Sequence, residues 1–400
     1  MGSATEHGLI IGLDATNLRG GGGRTHLIEI IRAVDPRRHG VSRLVVWGAG
    51  ETLACLPDQV WLEKRNPPEL DGDLITRTRW QDRELSSAAR AAGCDVLFVP
   101  GGNILGDFAP VVTMSRNALP FEMGELLRYG VSLHTLRFLI LRASQGRSFA
   151  HADGVIFLNA YAERIVSRVV RRLRGKTSTI PHGVSERFRM PPRPQREIES
   201  CSEANPFRLL YVSTIDLYKH QWVLVRAVEE LRQRTGWPLV LELVGTGHPA
   251  PMRKLDLAVR DADPDGRWIQ RRGPKPHDAL RDIYAAADIG VFASSCENMP
   301  NILLETMAAG LPIACSSRGP MPEMLGEAGV FFDPEDADGI TAALHTLIAS
   351  PALREQSAAA AFAEAQRYSW QRCADETFAF LGEVARHHVL QREGRFSATA

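Results

Sequence analysis

Apolar residues in this chain come in short unbroken runs, the pattern of strands buried on both faces, and the first run is Leu9-Ile10-Ile11-Gly12-Leu13-Asp14. It is followed by Gly20-Gly21-Gly22-Gly23 and then by a helical period from Thr25 to Val34, so the opening unit reads strand, glycine loop, helix. Further runs at 44–47, 96–99, 111–114 and 154–158 are spaced widely enough for crossover helices, which predicts a parallel sheet with helices on both faces. Pro191, Pro192 and Pro194 break this pattern, and residues 191–206 are predicted as a linker. The alternation then restarts. A strand at 207–213 precedes a helix with Leu224, Ala227, Val228 and Leu231 on one face and Arg226 and Glu229 on the other. Strands follow at 239–244, closed by Gly245-Thr246-Gly247, and at 289–293 and 312–315. The expected architecture is α/β: two doubly wound, Rossmann-like domains, 1–190 and 207–366, facing a central cleft where such sheets bind ligands, with 367–400 as a C-terminal helix and tail.

Length and composition agree with two domains, because 400 residues exceed one ordinary core, and 44% hydrophobic with 24% charged residues is an average globular balance. No apolar run approaches the length of a membrane span. The first arginine or lysine, Arg19, comes too late for a signal-peptide n-region, so a cytoplasmic location is expected. The six cysteines have neither disulfide-framework nor zinc-site spacing and are expected to be free thiols; no metal is expected. Asp71-Gly72-Asp73 has the letters of a metal motif but follows Asn66-Pro67-Pro68 in a loop rather than a strand end.

The zero net charge conceals an asymmetry: residues 1–190 hold 25 basic against 19 acidic side chains, leaving 22 against 28 for the remainder. A basic first half suits an anionic surface such as a membrane, and equally a plain mixed surface. Within it, Leu133, Leu136, Ile140 and Ala143 form one helical face, with Arg142 opposite and Arg128, Arg137 and Arg147 nearby. This helix suits either a membrane interface or packing against the first sheet, and the basic run from Arg168 to Lys176 favours the membrane. Nucleic acid is not an expected partner, since no aromatic residues interleave with the arginines to stack on bases.

The most informative segment runs from Ser294 to Pro312. A strand ends near Ala293, Pro300 suits the first turn of a helix, and Gly310 with Pro312 stops it. Glu297 then lies on the loop, while Asn301 and Glu305, four apart, share a helical face. Two carboxylates around a helix N-terminus fit a polyhydroxyl ligand bearing a diphosphate. They also fit a carboxylate bonded to opening-turn amides and a solvated helix residue.

The segment Glu297-Asn298-Met299-Pro300-Asn301-Ile302-Leu303-Leu304-Glu305 resembles the paired-glutamate signature of the retaining, family-four glycosyltransferases of GT-B fold (glycosyltransferase group 1). Other landmarks agree in order: Gly22-Gly23-x-x-His26-Leu27, Pro181-His182-Gly183-Val184, Leu210-Tyr211-Val212-Ser213 with Lys219, Leu243 to Gly247, and Tyr368-Ser369-Trp370. The resemblance spans about 9–385 and implies an acceptor-binding first domain, a donor-binding second domain and a final helix crossing back towards the first.

By that resemblance Glu297 contacts the donor sugar, Glu305 the ribose, and Lys219 the diphosphate; Glu297 and Lys219 are the catalytic pair. Gly22, Gly23, Thr214, Gly245, Gly273, Asn298, Met299, Pro300, Asn301 and Ile302 complete the expected donor site. Thr214 stands where many relatives carry an arginine. Ser115-Arg116-Asn117 stands where relatives often place a histidine, and is the expected acceptor side. The implied activity is that of a hexosyltransferase. It moves a sugar, with retention, from a nucleotide sugar to a glycan, foremost a polyprenyl-diphosphate-linked one of the O-antigen, capsule or exopolysaccharide kind, on the inner face of the cytoplasmic membrane and without cofactor. A nucleotide-sugar epimerase of the same fold, or an inactive nucleotide-sugar-binding scaffold, is the alternative.

Overall fold

The computed structural model describes residues 8–397, with side chains through Arg392; residues 1–7 and the tail from 398 lie outside the described residues. Seven strands form the first sheet: β1 (Leu9–Asp14), β2 (Val41–Trp47), β3 (Leu62–Arg65), β4 (Val96–Val99), β5 (Val111–Met114), β6 (Gly154–Phe157) and β7 (Lys176–Thr179). Six form the second: β8 (Phe207–Val212), β9 (Leu239–Val244), β10 (Ile269–Arg271), β11 (Ile289–Phe292), β12 (Ile313–Ser316) and β13 (Gly329–Phe332). Their orders are β3-β2-β1-β4-β5-β6-β7 and β10-β9-β8-β11-β12-β13, and every pair is parallel. The two doubly wound sheets are as predicted. Their order reverses between β1 and β4 and between β8 and β11, the switch points at which such sheets bind ligands beyond the strand carboxyl ends.

The four strands absent from the sequence reading are β3, β7, β10 and β13, which are the two edges of each sheet. Leu-Glu-Lys-Arg and Lys-Thr-Ser-Thr, at β3 and β7, carry polar and charged side chains because an edge is covered on fewer sides and charge there blocks further pairing.

The chain divides into two compact units. The first holds residues up to Phe121, Leu136–Gly183 and the chain from Ser369; the second holds Glu122–Thr135 and Val184–Tyr368. The unit boundary thus falls at 183/184, ahead of the expected 190/191, and the proline-rich stretch 191–206 is not a free linker. Phe188 is fully buried in the second core, Met190 N–H donates to Ala308 O at 2.9 Å, and Arg196 pairs with Asp288. Arg354, itself fully buried, donates to the Arg196 carbonyl. Prolines supply extended backbone here, and arginines fasten it down. Helix Trp370–Ser397 returns to pack on helix Gly21–Ala33, burying Phe378 and Leu381.

Helix Leu133–His151 corrects one alternative. Leu133, Leu136, Ile140 and Ala143 are all exposed, so this face does not pack on the first sheet; the buried residues are Gln145, Ser148 and Phe149. All six cysteines are free.

Candidate functional site

Most of the predicted donor residues gather at the carboxyl ends of β8 and β11. After β8 the chain turns through Asp216, whose side chain accepts from the Leu217 amide at 2.7 Å, and delivers Lys219. Lys219 is only 7% exposed, so its ammonium cannot rely on water, and it is paired with Glu297 Oε1. The rings of Tyr218 and Phe292 lie 5.2 and 5.5 Å from its Nζ, adding cation–π stabilisation. The pairing of residues 78 positions apart places the two expected catalytic groups in direct contact.

Gly245, at φ +139, explains one glycine: a Cβ there would lie 2.0 Å from Ser213 O, so only glycine lets the end of β9 press against the chain entering Thr214. Its amide donates to Gly273 O at 2.9 Å. Gly245, Gly273 and Thr214 therefore meet through backbone. Met299 and Ile302 are partly buried against the second core, and helix Asn301–Ala308 starts after Pro300 without a side-chain cap.

Glu305 forms a second cluster. It is 6% exposed, which removes the solvated-helix alternative, and its oxygens meet His277 Nε2 at 2.8 Å and the Tyr284 hydroxyl at 3.1 Å. Burial, then the Glu305 charge, raises the Tyr284 hydroxyl well above its ordinary range and keeps it a donor. Each carboxylate oxygen retains a lone pair for a further donor such as a sugar hydroxyl.

Sequence reasoning missed His277, Tyr284 and a relay beside Lys219. His220 has φ 49, the sole positive value among the described non-glycine residues, and its Nε2 meets Ser295 Oγ at 2.9 Å. Ser295 Oγ donates to Glu125 Oε2 at 2.8 Å, across 170 residues. Glu125 arrives on the short helix Met123–Leu127, which the second unit claims; Arg128 next to it pairs with Glu335, and Tyr129 donates to Asp216 at 2.7 Å. Nothing local in the sequence marks a segment for the other sheet.

Burial, followed by the nearby Arg128 charge, pushes His220 down to about 4. The unfolded chain titrates near the ordinary value of 6.5, so between these values it binds more protons than the folded protein, and stability falls as pH drops. At pH 5 this one group costs about 2 kcal/mol relative to neutral pH. Thermal unfolding at pH 7.5 and 5 is expected to show a drop in Tm that shrinks in His220→Asn, a residue that tolerates left-handed backbone. An unchanged drop would remove His220 from the cause.

The first unit has its own cluster. Helix Gly21–Ala33 begins at Gly20 with no side-chain cap and no acid in its first turn. Gly22 is exposed there, while Gly23 is buried beneath Arg116: a Cβ on Gly23 would meet Nη2 at 2.6 Å and Nη1 at 2.7 Å. Arg116 is half-buried as a residue, yet its Nε is out of reach of solvent and has no partner, and no acid pairs with the guanidinium among the described residues. Burial pushes it down to about 10. One turn on, His26 is fully buried with neither ring nitrogen partnered, stacked at 4.7 Å on His182, and burial, then His182 and Arg116, hold it well below its ordinary value. Gly183 lets His182 reach this position, since a Cβ would lie 2.1 Å from Trp370 N. Ser115 is buried, and Asn117 Oδ1 accepts from the Leu119 amide at 3.1 Å, a local turn. A guanidinium with an unpartnered Nε over a helix start suits an anion.

Residues 206–350 match the family model described as "Glycosyl transferases group 1". The chain is 30% identical over 171 residues to an O-antigen chain mannosyltransferase B of Escherichia coli, covering 42% of this chain and 44% of that one. It is 28% identical over 290 residues to a D-inositol 3-phosphate glycosyltransferase of Thermobispora bispora, 64% and 65% of the two chains. The chain thus spans about half the length of the first curated relatives it matches. Among solved structures, a sucrose-phosphate synthase from Thermosynechococcus elongatus aligns with TM-score 0.71 at 17% identity, over 96% of this chain and all of that one. Anabaena HepE, solved in complex with UDP-glucose, aligns with TM-score 0.64 at 17% identity over 93% and 100%. At these identities the shared feature is the fold, the two-unit GT-B architecture.

Proposed function

We propose, from the match of residues 206–350 to the glycosyl transferases group 1 model, that the protein transfers a sugar, with retention, from a nucleotide-sugar donor to a glycan acceptor. The observation that carries the reading is the buried Lys219–Glu297 pair at the carboxyl ends of the two switch-point strands, inside the matched domain. Lys219 would neutralise the diphosphate as a compact point charge, Glu297 would accept from the sugar hydroxyls, and Glu305, braced by His277 and Tyr284, would accept from the ribose. Backbone amides of helix Asn301–Ala308 would add partial positive charge. Neutralisation is thereby assigned to protein groups rather than to a metal. The leaving diphosphate would accept the acceptor's proton on the same face, so the protein contributes position and charge stabilisation rather than a general base. The E. coli relative supports a polysaccharide acceptor of the O-antigen kind. We extend this to a polyprenyl-diphosphate-linked glycan met at an anionic membrane, with no nucleic acid partner.

Calorimetric binding of UDP, GDP, ADP and dTDP tests the donor site. One nucleotide is expected to bind selectively, and Glu305→Gln is expected to weaken it by about 10- to 100-fold, the worth of one charge-assisted hydrogen bond. Binding by none of the four would sink the transferase reading. Turnover of the nucleotide sugar without any acceptor, to an epimer, would redirect it.

A further inference from the structure

We propose that the outer face of helix Leu133–His151, together with the basic segment 164–176, is the surface by which the first unit docks on an anionic lipid bilayer. The inference deepens the lipid-linked acceptor reading above and rests on it for its biological sense. Its physical basis is separate.

The helix is buried near its C-terminal end, through Gln145, Ser148 and Phe149; there Ser144 Oγ donates to Asn103 Oδ1 at 2.9 Å, and Ser148 Oγ accepts from the Ile104 amide at 2.9 Å. Its outward side chains are Leu136, Leu139 and Ile140, exposed by 54%, 40% and 60%. Scattered exposed leucines are ordinary, but three apolar side chains within five residues on one helix form a ridge that needs a cover.

Charge identifies the cover. Between 133 and 151 the chain has three arginines and no aspartate or glutamate; between 164 and 176 it has six basic residues and again no acid. A groove of about 540 Å³ joins the two segments, with Leu139, Ala143 and Val170 on its walls beside Arg142, Arg171 and Arg172. Arg137, Arg171 and Arg172 make no ion pair among the described residues, whereas Lys176, at the end of the run, is tied to Glu383. Apolar side chains flanked by unneutralised arginines match a bilayer, where acyl chains lie beneath anionic headgroups. A second copy fits poorly, because a two-fold contact would set this acid-free face against itself.

The test is co-sedimentation of the full chain with vesicles of phosphatidylcholine alone and of phosphatidylcholine mixed with phosphatidylglycerol. The wild type is expected to partition into the mixed vesicles about tenfold or more over the neutral ones, and to be released as ionic strength rises. Leu136→Glu with Ile140→Glu, and separately Arg171→Glu with Arg172→Glu, are expected to lower that partition about tenfold or more while leaving Tm and nucleotide binding unchanged. Equal partition into both vesicles, or undiminished binding by both variants, overturns the proposal. So does a dimer in light scattering that the Leu136→Glu, Ile140→Glu variant dissolves, since that makes the ridge a contact between copies. Nucleotide binding measured on the same samples separates the two readings: if it persists while vesicle binding is absent, only the surface falls.

Discussion

Lys219→Met is expected to lower kcat/KM for glycosyl transfer by about 10³-fold, the scale of removing one preorganised group that meets developing charge in a water-poor site. It should also destabilise the protein, because Glu297 would then hold a buried carboxylate with no counter-charge. Breaking one side of such a pair costs about 3–5 kcal/mol. For a unit of this size that is roughly 10 °C in Tm. A drop in activity alone would therefore be ambiguous, and the double variant Lys219→Met with Glu297→Gln resolves it. Removing both charges should restore most of the Tm, since an uncharged pair in the same space avoids desolvation, while transfer stays abolished. A double variant that regains activity would reduce the pair to a structural tie. A single variant with unchanged Tm and unchanged rate would remove Lys219 from the site.

Central strands were legible because burial on both faces demands uninterrupted apolar side chains, as in Val-Leu-Phe-Val at β4. Edge strands were not, since Lys-Thr-Ser-Thr at β7 satisfies its backbone on one side only and carries side chains suited to water. The same locality governs the site. Glu297 and Glu305 sit eight residues apart in one recognisable segment that names both, whereas the groups around them come from elsewhere: His277 and Tyr284, which hold Glu305, from the preceding crossover, and Glu125, which holds Ser295, from a stretch 170 residues away. A hydrogen bond over such a separation leaves no pattern in spacing. Pro191-Pro192 misled for a physical reason too, since proline marks extended backbone but does not say whether that backbone hangs free or is fastened to a core, and here Arg354 and Arg196 fasten it. Leu136 and Ile140 show the converse: their spacing predicts the helix, yet the face it defines points outward.

Arg116→Met is expected to raise stability while weakening anion binding, an opposition that an ordinary structural arginine would not produce. Burial pushes the guanidinium from 12.5 down to about 10 with no acid paired to it among the described residues, so holding it charged at neutral pH costs about 3 kcal/mol. Methionine keeps much of the length over Gly23 and removes that cost. A Tm increase of several degrees should follow. Pyrophosphate should raise the Tm of the wild type and lose about tenfold or more in affinity to Arg116→Met, because a charged donor aimed at an anion contributes about 1.5–3 kcal/mol. His26 sharpens the argument. It is fully buried with neither ring nitrogen partnered, and burial, then His182 and Arg116, keep it neutral, so it adds no charge for an anion to meet. His26→Phe should therefore weaken pyrophosphate less than Arg116→Met does. If Arg116→Met instead lowers Tm and leaves pyrophosphate affinity intact, the arginine is a packing element over the glycine loop.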